Sequence, residues 1–406
     1  MSRSSPLNDP ASQEPKPSRA PDTRVVHPPV PEQQPGEPLA PPLDLSTTYA
    51  FTDATEFAQA SNDKIGSGYV YTRWANPTID AFEAAVADLE GSEGAEAFAT
   101  GMGAISTVLL TLCSAGDRIV SARQLYGGTH ELVSSLLPRY GIETATFDVG
   151  DFDGISGALP GAKVLYCETI GNPRIVVADL PRLAQLASDA GATLVVDNTF
   201  ASPLVCRPLE HGAAVSIHSA TKFLGGHHDL MGGVVCADDS ILTPVRELAR
   251  ELGAVLSPFN AWLALRGMAT LALRVDRSCT NALTVAEALQ QHPDVEAVSY
   301  PALEGDPSKE LADSLLGGRG GGTLGFDIVG GRERGIRFQE ALELVRPAPS
   351  LGGTHSLIVN AASITHTQLS DEQLAAAGIT QGFCRLSVGI EDPNDIIDDL
   401  EQALKA

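Results

Sequence analysis

The central part of the chain alternates between short apolar runs and longer segments in which apolar residues recur at helical spacing. The short runs are rich in β-branched residues and predict strands. These strands are predicted at Arg118–Ser121, Thr144–Phe147, Ala162–Cys167, Thr193–Asp197, Ala214–His218 and Gly233–Cys236. Strands that alternate with helices form a largely parallel sheet covered on both faces. We therefore predict an α/β fold whose ligands bind at the carboxyl ends of the strands.

Two helices are predicted before the first of these strands. One opens at Asn76-Pro77-Thr78 and ends at Gly91, and the other follows Gly101-Met102-Gly103 and ends by Gly116. Proline at the start of a helix and glycine just past its end are typical of helix boundaries. In the first helix the apolar residues with helical spacing are Ile79, Phe82, Val86 and Leu89.

The alternation stops near Glu251–Pro258. A long helical stretch, Ala261–Asn281 and onward, then leads into a tract with its own strands at Gly322–Ile328 and Phe383–Val388, and a last helix begins near Pro393. We predict a domain boundary near residue 257. It divides a large domain over 71–257 from a smaller α+β domain over 258–406.

The N-terminal segment has a different composition from the rest. Residues 1–22 are rich in proline, serine and charge, and they have too little apolar surface to fold, so we predict a disordered tail. Prolines stay frequent as far as Pro42, which favours an extended chain. A structureless segment of this length is unusual within a compact domain. We therefore predict that residues 23–70 form an arm that contacts a neighbouring subunit.

Charge and cysteine content narrow the classes of function. The 406 residues include 27 Lys and Arg against 51 Asp and Glu, a net charge of −24, so nucleic acid and anionic membranes are not expected as partners. The six cysteines form no C-x-x-C pair and indicate free thiols in a reducing compartment. The chain has neither a long apolar span nor an apolar signal core, so we expect a cytoplasmic protein.

The main candidate for chemistry is Lys222, in the segment Ala213–Gly226. It follows a predicted strand, and Ser219 and Thr221 lie beside it. A lysine whose pKa is lowered can form a Schiff base with an aldehyde, and the two hydroxyl groups can donate to a phosphate. Pyridoxal phosphate (PLP) carries both groups on one ring. An ordinary surface lysine is the alternative at this position.

Further candidates lie at the ends of the neighbouring elements. Asp197 ends a strand one βα step before Lys222 and can pair with a protonated pyridine nitrogen; capping the next turn is its alternative role. Gly101 and Met102 open a helix whose N-terminus favours an anion, or they serve only close packing. Tyr126 can stack on an aromatic cofactor, or it belongs to the core.

Two arginines and one tyrosine complete the set. Tyr71 and Arg73 lie at the end of the predicted arm, where Arg73 can clamp a phosphate or simply lie at the surface. Arg385 is a charge within a C-terminal strand and needs a partner, which is either a structural acid or the α-carboxylate of an amino-acid substrate. The adjacent His227 and His228 are poorly spaced to bind one ion, so no metal site is expected.

Together these segments resemble the Cys/Met-metabolism family of PLP enzymes, which includes cystathionine γ-synthases and γ-lyases, methionine γ-lyases and O-acylhomoserine sulfhydrylases. The resemblance runs from about Asp22 to the C-terminus. The motifs that carry it are YTRWANPT (71–78), TGMGA (100–104), YGGT (126–129), ETIGNP (168–173), VVDNTFASP (195–203), SIHSATKFLGGHHD (216–229), SLGG (350–353) and RLSVGIED (385–392). It implies PLP as the cofactor, the type I fold of aspartate aminotransferase, and a homotetramer of dimers that share active sites.

The resemblance also implies a role for each candidate. Lys222 is the Schiff-base lysine, and Asp197 pairs with the pyridine nitrogen. Tyr126 stacks on the ring and serves as an acid or base. The phosphate is bound by Gly101, Met102, Ser219 and Thr221, together with Tyr71 and Arg73 of the neighbouring subunit. The carboxylate of the substrate is bound by Asn172, Ser350 and Arg385.

The implied reaction takes place at the γ carbon of a homoserine-derived amino acid. The γ substituent leaves, and then either a thiol or sulfide replaces it or hydrolysis gives a 2-oxoacid and ammonia. Gly128 stands where methionine γ-lyases carry cysteine, and Pro349 where cystathionine enzymes often carry glutamate. The ETIGNP, SPFNAW (257–262) and THTQL (365–369) segments are similar to sulfhydrylases, whereas the short segment from Cys236 to Glu251 is similar to the lyases and synthases. We expect γ-replacement on an O-acylhomoserine, with γ-elimination as the alternative.

Overall fold

A computed structural model of the chain describes residues 19–29, 38–62, 68–365, 374 and 379–406. Most of the predicted disordered tail and all of the THTQL motif after its first residue lie outside these residues. The last residues of the predicted tail begin helix α1 (Pro21–Arg24). A second helix, α2 (Ala54–Asn62), lies in the predicted arm.

The larger sheet contains seven strands in the described part of the chain, in the order β1-β7-β6-β5-β4-β2-β3. Neighbours from β3 to β6 pair in parallel, and β7 runs antiparallel to both β6 and β1. The strands are β1 (Gly94–Phe98), β2 (Arg118–Ala122), β3 (Glu143–Phe147), β4 (Val164–Glu168), β5 (Thr193–Asp197), β6 (Val215–His218) and β7 (Gly233–Ala237). The predicted strands are confirmed, whereas β1 was not predicted because Gly-Ala-Glu-Ala-Phe has no β-branched residue.

Helices flank this sheet, and the first two long ones match the prediction. They are α3 (Pro77–Glu90) and α4 (Gly101–Leu112), followed by α5 (Gly127–Glu131), α6 (Phe152–Ala158), α7 (Leu180–Ala190) and α8 (Asp239–Leu252). The Asn76 side chain caps α3 by accepting from the amides of Thr78 and Ile79, and Gly91 ends the helix at φ 75°. Helix α4 begins at Gly101 itself, with Thr100 as its cap.

The smaller sheet has the strand order β10-β11-β12-β9-β8 in the described residues. Its strands are β8 (Val295–Ser299), β9 (Thr323–Ile328), β10 (Arg346–Pro347), β11 (Leu357–Asn360) and β12 (Phe383–Ser387). The helices in this part of the chain are α9 (Pro258–Met268), α10 (Leu271–Gln290), α11 (Lys309–Leu315), α12 (Gly331–Ala341) and α13 (Pro393–Ala403). Of these, α9 and α11 pack on the core of the larger sheet. The prediction of one long helix from Ala261 is wrong, because the helix is interrupted between Met268 and Leu271.

Two hydrophobic cores divide the chain within α10. The core of the larger sheet runs through α9 to Cys279 on α10, and the core of the smaller sheet begins at Ala282. Beyond α10 the larger core is joined by Ala312, Leu315, Leu316 and Leu351. The domain boundary near residue 257 remains a prediction, and this packing favours a position inside α10. Among the described residues, no helix combines the length and apolar character needed to cross a membrane.

The predicted arm contacts the body of its own chain at several points. Arg24 forms an ion pair of 2.7 Å with Asp88 on α3, and the Pro41 carbonyl accepts from the Trp262 indole at 2.9 Å. These contacts hold the arm against helices α3 and α9 of its own chain. Its contact with a neighbouring subunit remains a prediction.

Candidate functional site

A cavity of about 510 Å³ lies at the carboxyl ends of the central parallel strands. It is the position expected for a ligand on a sheet of this topology. The structure brings all the predicted site residues into this cavity except Tyr71 and Arg73. Those lining it are Gly101, Met102, Tyr126, Asn172, Asp197, Ser219, Thr221, Lys222, Ser350 and Arg385.

Lys222 lies in the turn after β6 and projects into the cavity. Its Nζ atom donates to Ser350 Oγ at 3.0 Å. The pKa of Lys222 is lowered to about 8, chiefly by burial and also by the Arg385 charge, while the Asp197 charge opposes the shift. The site therefore supplies a lysine with an appreciable neutral fraction near neutral pH, which is the form that attacks an aldehyde.

Asp197 is the last residue of β5, and its carboxyl group lies at the floor of the cavity. Its Oδ1 atom accepts from the Thr199 amide at 3.0 Å and from the Thr199 hydroxyl at 2.5 Å. Burial raises the pKa of Asp197, and the Thr199 hydrogen bonds, His218 and Lys222 lower it. A buried carboxylate with one oxygen held by its own loop can accept a strong charge-assisted hydrogen bond from a ligand cation on the other.

The start of α4 and the Lys222 turn form the anion-binding end of the cavity. The Thr100 hydroxyl accepts from the Gly103 amide at 2.9 Å, which leaves the amides of Gly101 and Met102 at the free end of the helix. Any Cβ at Gly101 would lie 2.9 Å from the Ser219 Cβ, so the helix and the turn can meet only at a glycine. Thr221 already bonds Gly232 through its hydroxyl.

Tyr126 forms one wall of the cavity and is half-exposed in the single chain. Its backbone amide donates to Glu168 Oε1 at 2.6 Å, which anchors the segment at the end of β4. The ring lies so close to Gly128 that a Cβ there would stand 2.6 Å from Tyr126 Cε1. An aromatic ring held in this way can cover one face of a bound ring.

The opposite end of the cavity is formed by both sheets. Arg385 on β12 donates through Nη1 to Asn172 Oδ1 at 2.8 Å and through Nη2 to the Ser350 carbonyl at 3.3 Å. Its buried Nε has no partner among the described residues. Burial lowers the pKa of Arg385 to about 10. Ser350 holds φ at 121°, a strained backbone of the kind found at functional sites. A guanidinium with free donors can bind a carboxylate.

Tyr71 and Arg73 lie outside this cavity in their own chain. Arg73 Nη1 donates to the Arg250 carbonyl at 2.7 Å, and its guanidinium lies 5.8 Å from the centre of the Tyr71 ring. Arg73 lines a second cavity of about 280 Å³ beside α3 and α8. Their predicted contact with the phosphate of a neighbouring subunit stays a prediction.

Sequence reasoning missed three residues that shape the site: Glu168, Thr199 and Arg274. Glu168 ends β4 in the same way that Asp197 ends β5, so the rule that places ligands at strand ends was a usable signal. Arg274 lies on α10, donates to the carbonyls of Phe223 at 2.8 Å and Gly267 at 2.7 Å, and would collide with any side chain at Gly226. An arginine between apolar helix residues was the only signal for this clamp on the Lys222 turn.

The set of donors fits PLP. It offers free helix amides and hydroxyls for a phosphate, a buried acid for the pyridine nitrogen, an aromatic wall for the ring and a lysine of lowered pKa for the aldehyde. All of these groups line one cavity. An amino acid bound to the same cofactor would have Arg385 available for its carboxylate.

Known proteins agree with this assignment. The family model for Cys/Met metabolism PLP-dependent enzymes matches residues 22–405. The chain is 40% identical to L-methionine gamma-lyase of Pseudomonas putida, with 95% of this chain and 97% of that protein covered. It is 38% identical to O-acetyl-L-homoserine sulfhydrylase of Leptospira meyeri, with 90% and 92% covered.

A solved structure gives the same result for the fold. A proposed O-acetylhomoserine (thiol)-lyase of Campylobacter jejuni, solved with N'-pyridoxyl-lysine-5'-monophosphate, has a TM-score of 0.90 and 31% identity over 95% of this chain and 100% of that one. The predicted type I fold and the predicted PLP cofactor are confirmed. The chain therefore belongs to the Cys/Met metabolism family of PLP-dependent enzymes.

Proposed function

We propose that the protein catalyses γ-replacement on an O-acylhomoserine that carries a small uncharged acyl group such as acetyl. A thiol or sulfide forms a bond to Cγ, the Cγ–O bond breaks, and the acyl group leaves as its carboxylate, acetate in this case. The proposal places the enzyme in methionine biosynthesis or cysteine metabolism. It also assigns the protein to the cytoplasm and to a homotetramer built from dimers that share active sites.

The proposed roles follow the geometry of the cavity. PLP, when bound, supplies the electron sink that stabilises a carbanion at the substrate Cα. Lys222 binds the cofactor aldehyde and, once released, moves the protons at Cα and Cβ. Asp197 holds the pyridine nitrogen protonated, and Tyr126 covers the ring and serves as a further acid or base.

The two ends of the cavity fix the orientation of the reactants. The amides of Gly101 and Met102 and the hydroxyls of Ser219 and Thr221 bind the phosphate. Tyr71 and Arg73 reach the same phosphate from the neighbouring subunit in this proposal. The substrate carboxylate is bound by Arg385, which is held in place by Asn172 and by the Ser350 carbonyl.

The observation that carries the choice of substrate is the set of charges in the cavity. The ionisable acids and bases in its described lining, tyrosine apart, are Lys222, Asp197, Glu168 and Arg385. Lys222, Asp197 and Arg385 already have proposed roles, and Glu168 is tied to the Tyr126 backbone. A γ substituent would therefore meet uncharged residues such as Met231 and Pro349. This favours acetyl over succinyl and disfavours the second amino-acid group of cystathionine.

Replacement rather than elimination is supported by the lack of a thiol in the described lining. Gly128 stands at the position where methionine γ-lyases carry cysteine, and the ring of Tyr126 occupies the space that a side chain would need. The alternative is γ-elimination from methionine. The 40% identity to L-methionine gamma-lyase of P. putida favours it, and the uncharged cavity would also accept a thioether.

The deciding experiment supplies the PLP-loaded enzyme with O-acetylhomoserine, O-succinylhomoserine, methionine and cystathionine, each with and without sulfide or cysteine. We expect O-acetylhomoserine with sulfide to give homocysteine at least about tenfold faster than any substrate gives 2-oxobutanoate, the difference that ~1.4 kcal/mol of transition-state stabilisation provides. Rapid release of 2-oxobutanoate from methionine without a nucleophile would establish elimination instead. A Lys222→Ala variant is the control for cofactor-dependent turnover.

A further inference from the structure

Two acids stand side by side at the floor of the cavity, and the mechanism uses only one of them. Glu168 ends β4, Asp197 ends β5, and the two residues are direct partners in the parallel ladder. Adjacent strands lie about 4.8 Å apart, so the two carboxyl groups begin on the same sheet face as neighbours. Both residues are buried.

The contacts of the two acids differ. Asp197 accepts from its own loop through Thr199. Glu168 accepts from the Tyr126 amide at 2.6 Å through Oε1, and its Oε2 is buried without a hydrogen-bond partner among the described residues. Glu168 is therefore hydrogen-bonded to the Tyr126 segment that forms the wall of the cavity, whereas Asp197 is hydrogen-bonded to Thr199 in the loop that follows its own strand.

Charge separates the acids further. Burial raises the pKa of Glu168 well above its ordinary value, the Asp197 charge raises it more, and the Tyr126 and Asn172 amides and Arg385 lower it. Two neighbouring buried carboxyl groups cannot both be ionised at low cost, so one of them keeps its proton. Lys222 and the Thr199 hydrogen bonds favour the ionised form of Asp197.

Other ionisable groups near Glu168 do not reverse this order. Tyr166 and Cys167 lie on the same strand, and the pKa of each is raised, chiefly by burial. Both are therefore neutral and add no positive charge. Arg385, on β12, is the cation that faces Glu168, and its Nη1 atom is committed to Asn172.

We propose that Glu168 is a positioning residue, which as a neutral carboxylic acid fixes the Tyr126 wall through the Tyr126 backbone and leaves the negative charge at this edge of the sheet to Asp197. The inference rests on the proposed roles of Tyr126 and Asp197. It does not depend on whether the γ substituent is replaced or eliminated.

The test compares one chemical change at two neighbouring acids, Glu168→Gln and Asp197→Asn, together with Glu168→Leu. Glutamine keeps an acceptor for the Tyr126 amide and is always neutral. We therefore expect E168Q to bind PLP within about threefold of the parent, whereas E168L leaves a buried N–H unsatisfied and binds about tenfold more weakly. D197N is expected to lose more than E168Q, because it removes the charge that pairs with the pyridine nitrogen.

The readouts are the PLP dissociation constant and the visible circular dichroism of the bound cofactor, neither of which needs turnover. A double-mutant cycle of E168L with Tyr126→Ala separates positioning from general stability. We expect E168L to weaken PLP binding little further once Tyr126 is alanine. If E168Q loses as much PLP affinity as E168L, the neutral-acid proposal is wrong. If the losses of PLP affinity caused by E168L and by Tyr126→Ala simply add in the double variant, Glu168 does not act through Tyr126. Failure of the γ-replacement proposal would alter products and leave these binding results unchanged.

Discussion

The two ends of the cavity are built in different ways. The cofactor end consists of strand ends and a helix N-terminus from the larger sheet, with Asp197 and Lys222 on neighbouring strands or just beyond them. The carboxylate end joins two sheets, since Arg385 and Asn172 are 213 residues apart. The first end is fixed by local chain topology, and the second exists only when both sheets are packed together.

Lys222 connects the two ends. It extends from the turn after β6 and donates to Ser350, which lies in the loop before the smaller sheet's β11. A change at the carboxylate end can therefore reach the Lys222 side chain directly, whereas the start of α4 meets the Lys222 turn at Ser219. Variants at each end should separate substrate binding from cofactor binding.

The largest difference between the effect on substrate binding and the effect on cofactor binding is expected for Arg385→Lys. Lysine cannot bind a carboxylate in the bidentate manner of a guanidinium, and it loses the contacts to Asn172 and Ser350. We expect kcat/KM to fall about 100-fold, mostly through KM, which corresponds to ~3 kcal/mol for hydrogen bonds to charged groups. PLP affinity should change little. Steady-state kinetics and a PLP titration test this, with the exposed Arg277→Lys on α10 as the matched control.

Loss of PLP affinity as large as the loss in kcat/KM would show that the two ends are not separable. Equal effects in the Arg277→Lys control would indicate a general loss of stability instead.

An effect of intermediate size is expected when pH is varied, namely on the reactivity of Lys222, which connects the two ends of the cavity. The pKa of Lys222 is about 8, so its neutral fraction should rise about tenfold between pH 7 and pH 9 and then level off. Because the neutral amine is the form that is acylated, the rate of acylation of Lys222 in the cofactor-free protein should follow the same curve. An ordinary lysine continues to gain reactivity up to about pH 10.4. Competitive labelling followed by peptide mass analysis measures this, with the exposed Lys405 as a reference in the same molecule. A continued rise of Lys222 labelling beyond pH 9 contradicts the prediction.

The smallest effect is expected for Gly128→Ala, which should change the affinity for PLP and leave the carboxylate end of the cavity unchanged. In Gly128→Ala the new methyl group meets the ring of Tyr126 at 2.6 Å, so the ring must move, and we expect PLP affinity to fall about fivefold, in line with the ~1 kcal/mol lower bound for overpacking. Gly127→Ala is the matched control, since nothing lies within 4 Å of a Cβ there. Equal PLP affinity of the two variants would mean that the Tyr126 position does not matter for the cofactor.

Much of the larger sheet could be predicted because its strands are short runs in which apolar and β-branched residues are frequent, and each run carries its own signal. The edge strand β1 could not, since Gly94–Phe98 is a strand through its pairing with β7 and not through its own composition. The break between α9 and α10 was also invisible, because helical spacing continues across it.

The same distinction holds at the site. Lys222 and Asp197 were found because each follows a recognisable strand. Glu168 and Arg274 act through backbone groups of distant segments, Tyr126 for the first and Phe223 for the second. Contacts of this kind depend on how distant elements pack together, so they cannot be predicted from the pattern of residues along the chain.

The clamp between Arg274 and the Lys222 turn has a consequence for engineering. The guanidinium fills the volume that a side chain at Gly226 would need. The backbone at Gly226 also has φ 74°, a conformation that favours glycine, so a catalytic loop grafted here from a relative would require glycine at that place even if the side chain on α10 were shorter. A graft that keeps Arg274 must also keep Gly226, although the two residues are 48 positions apart in the chain.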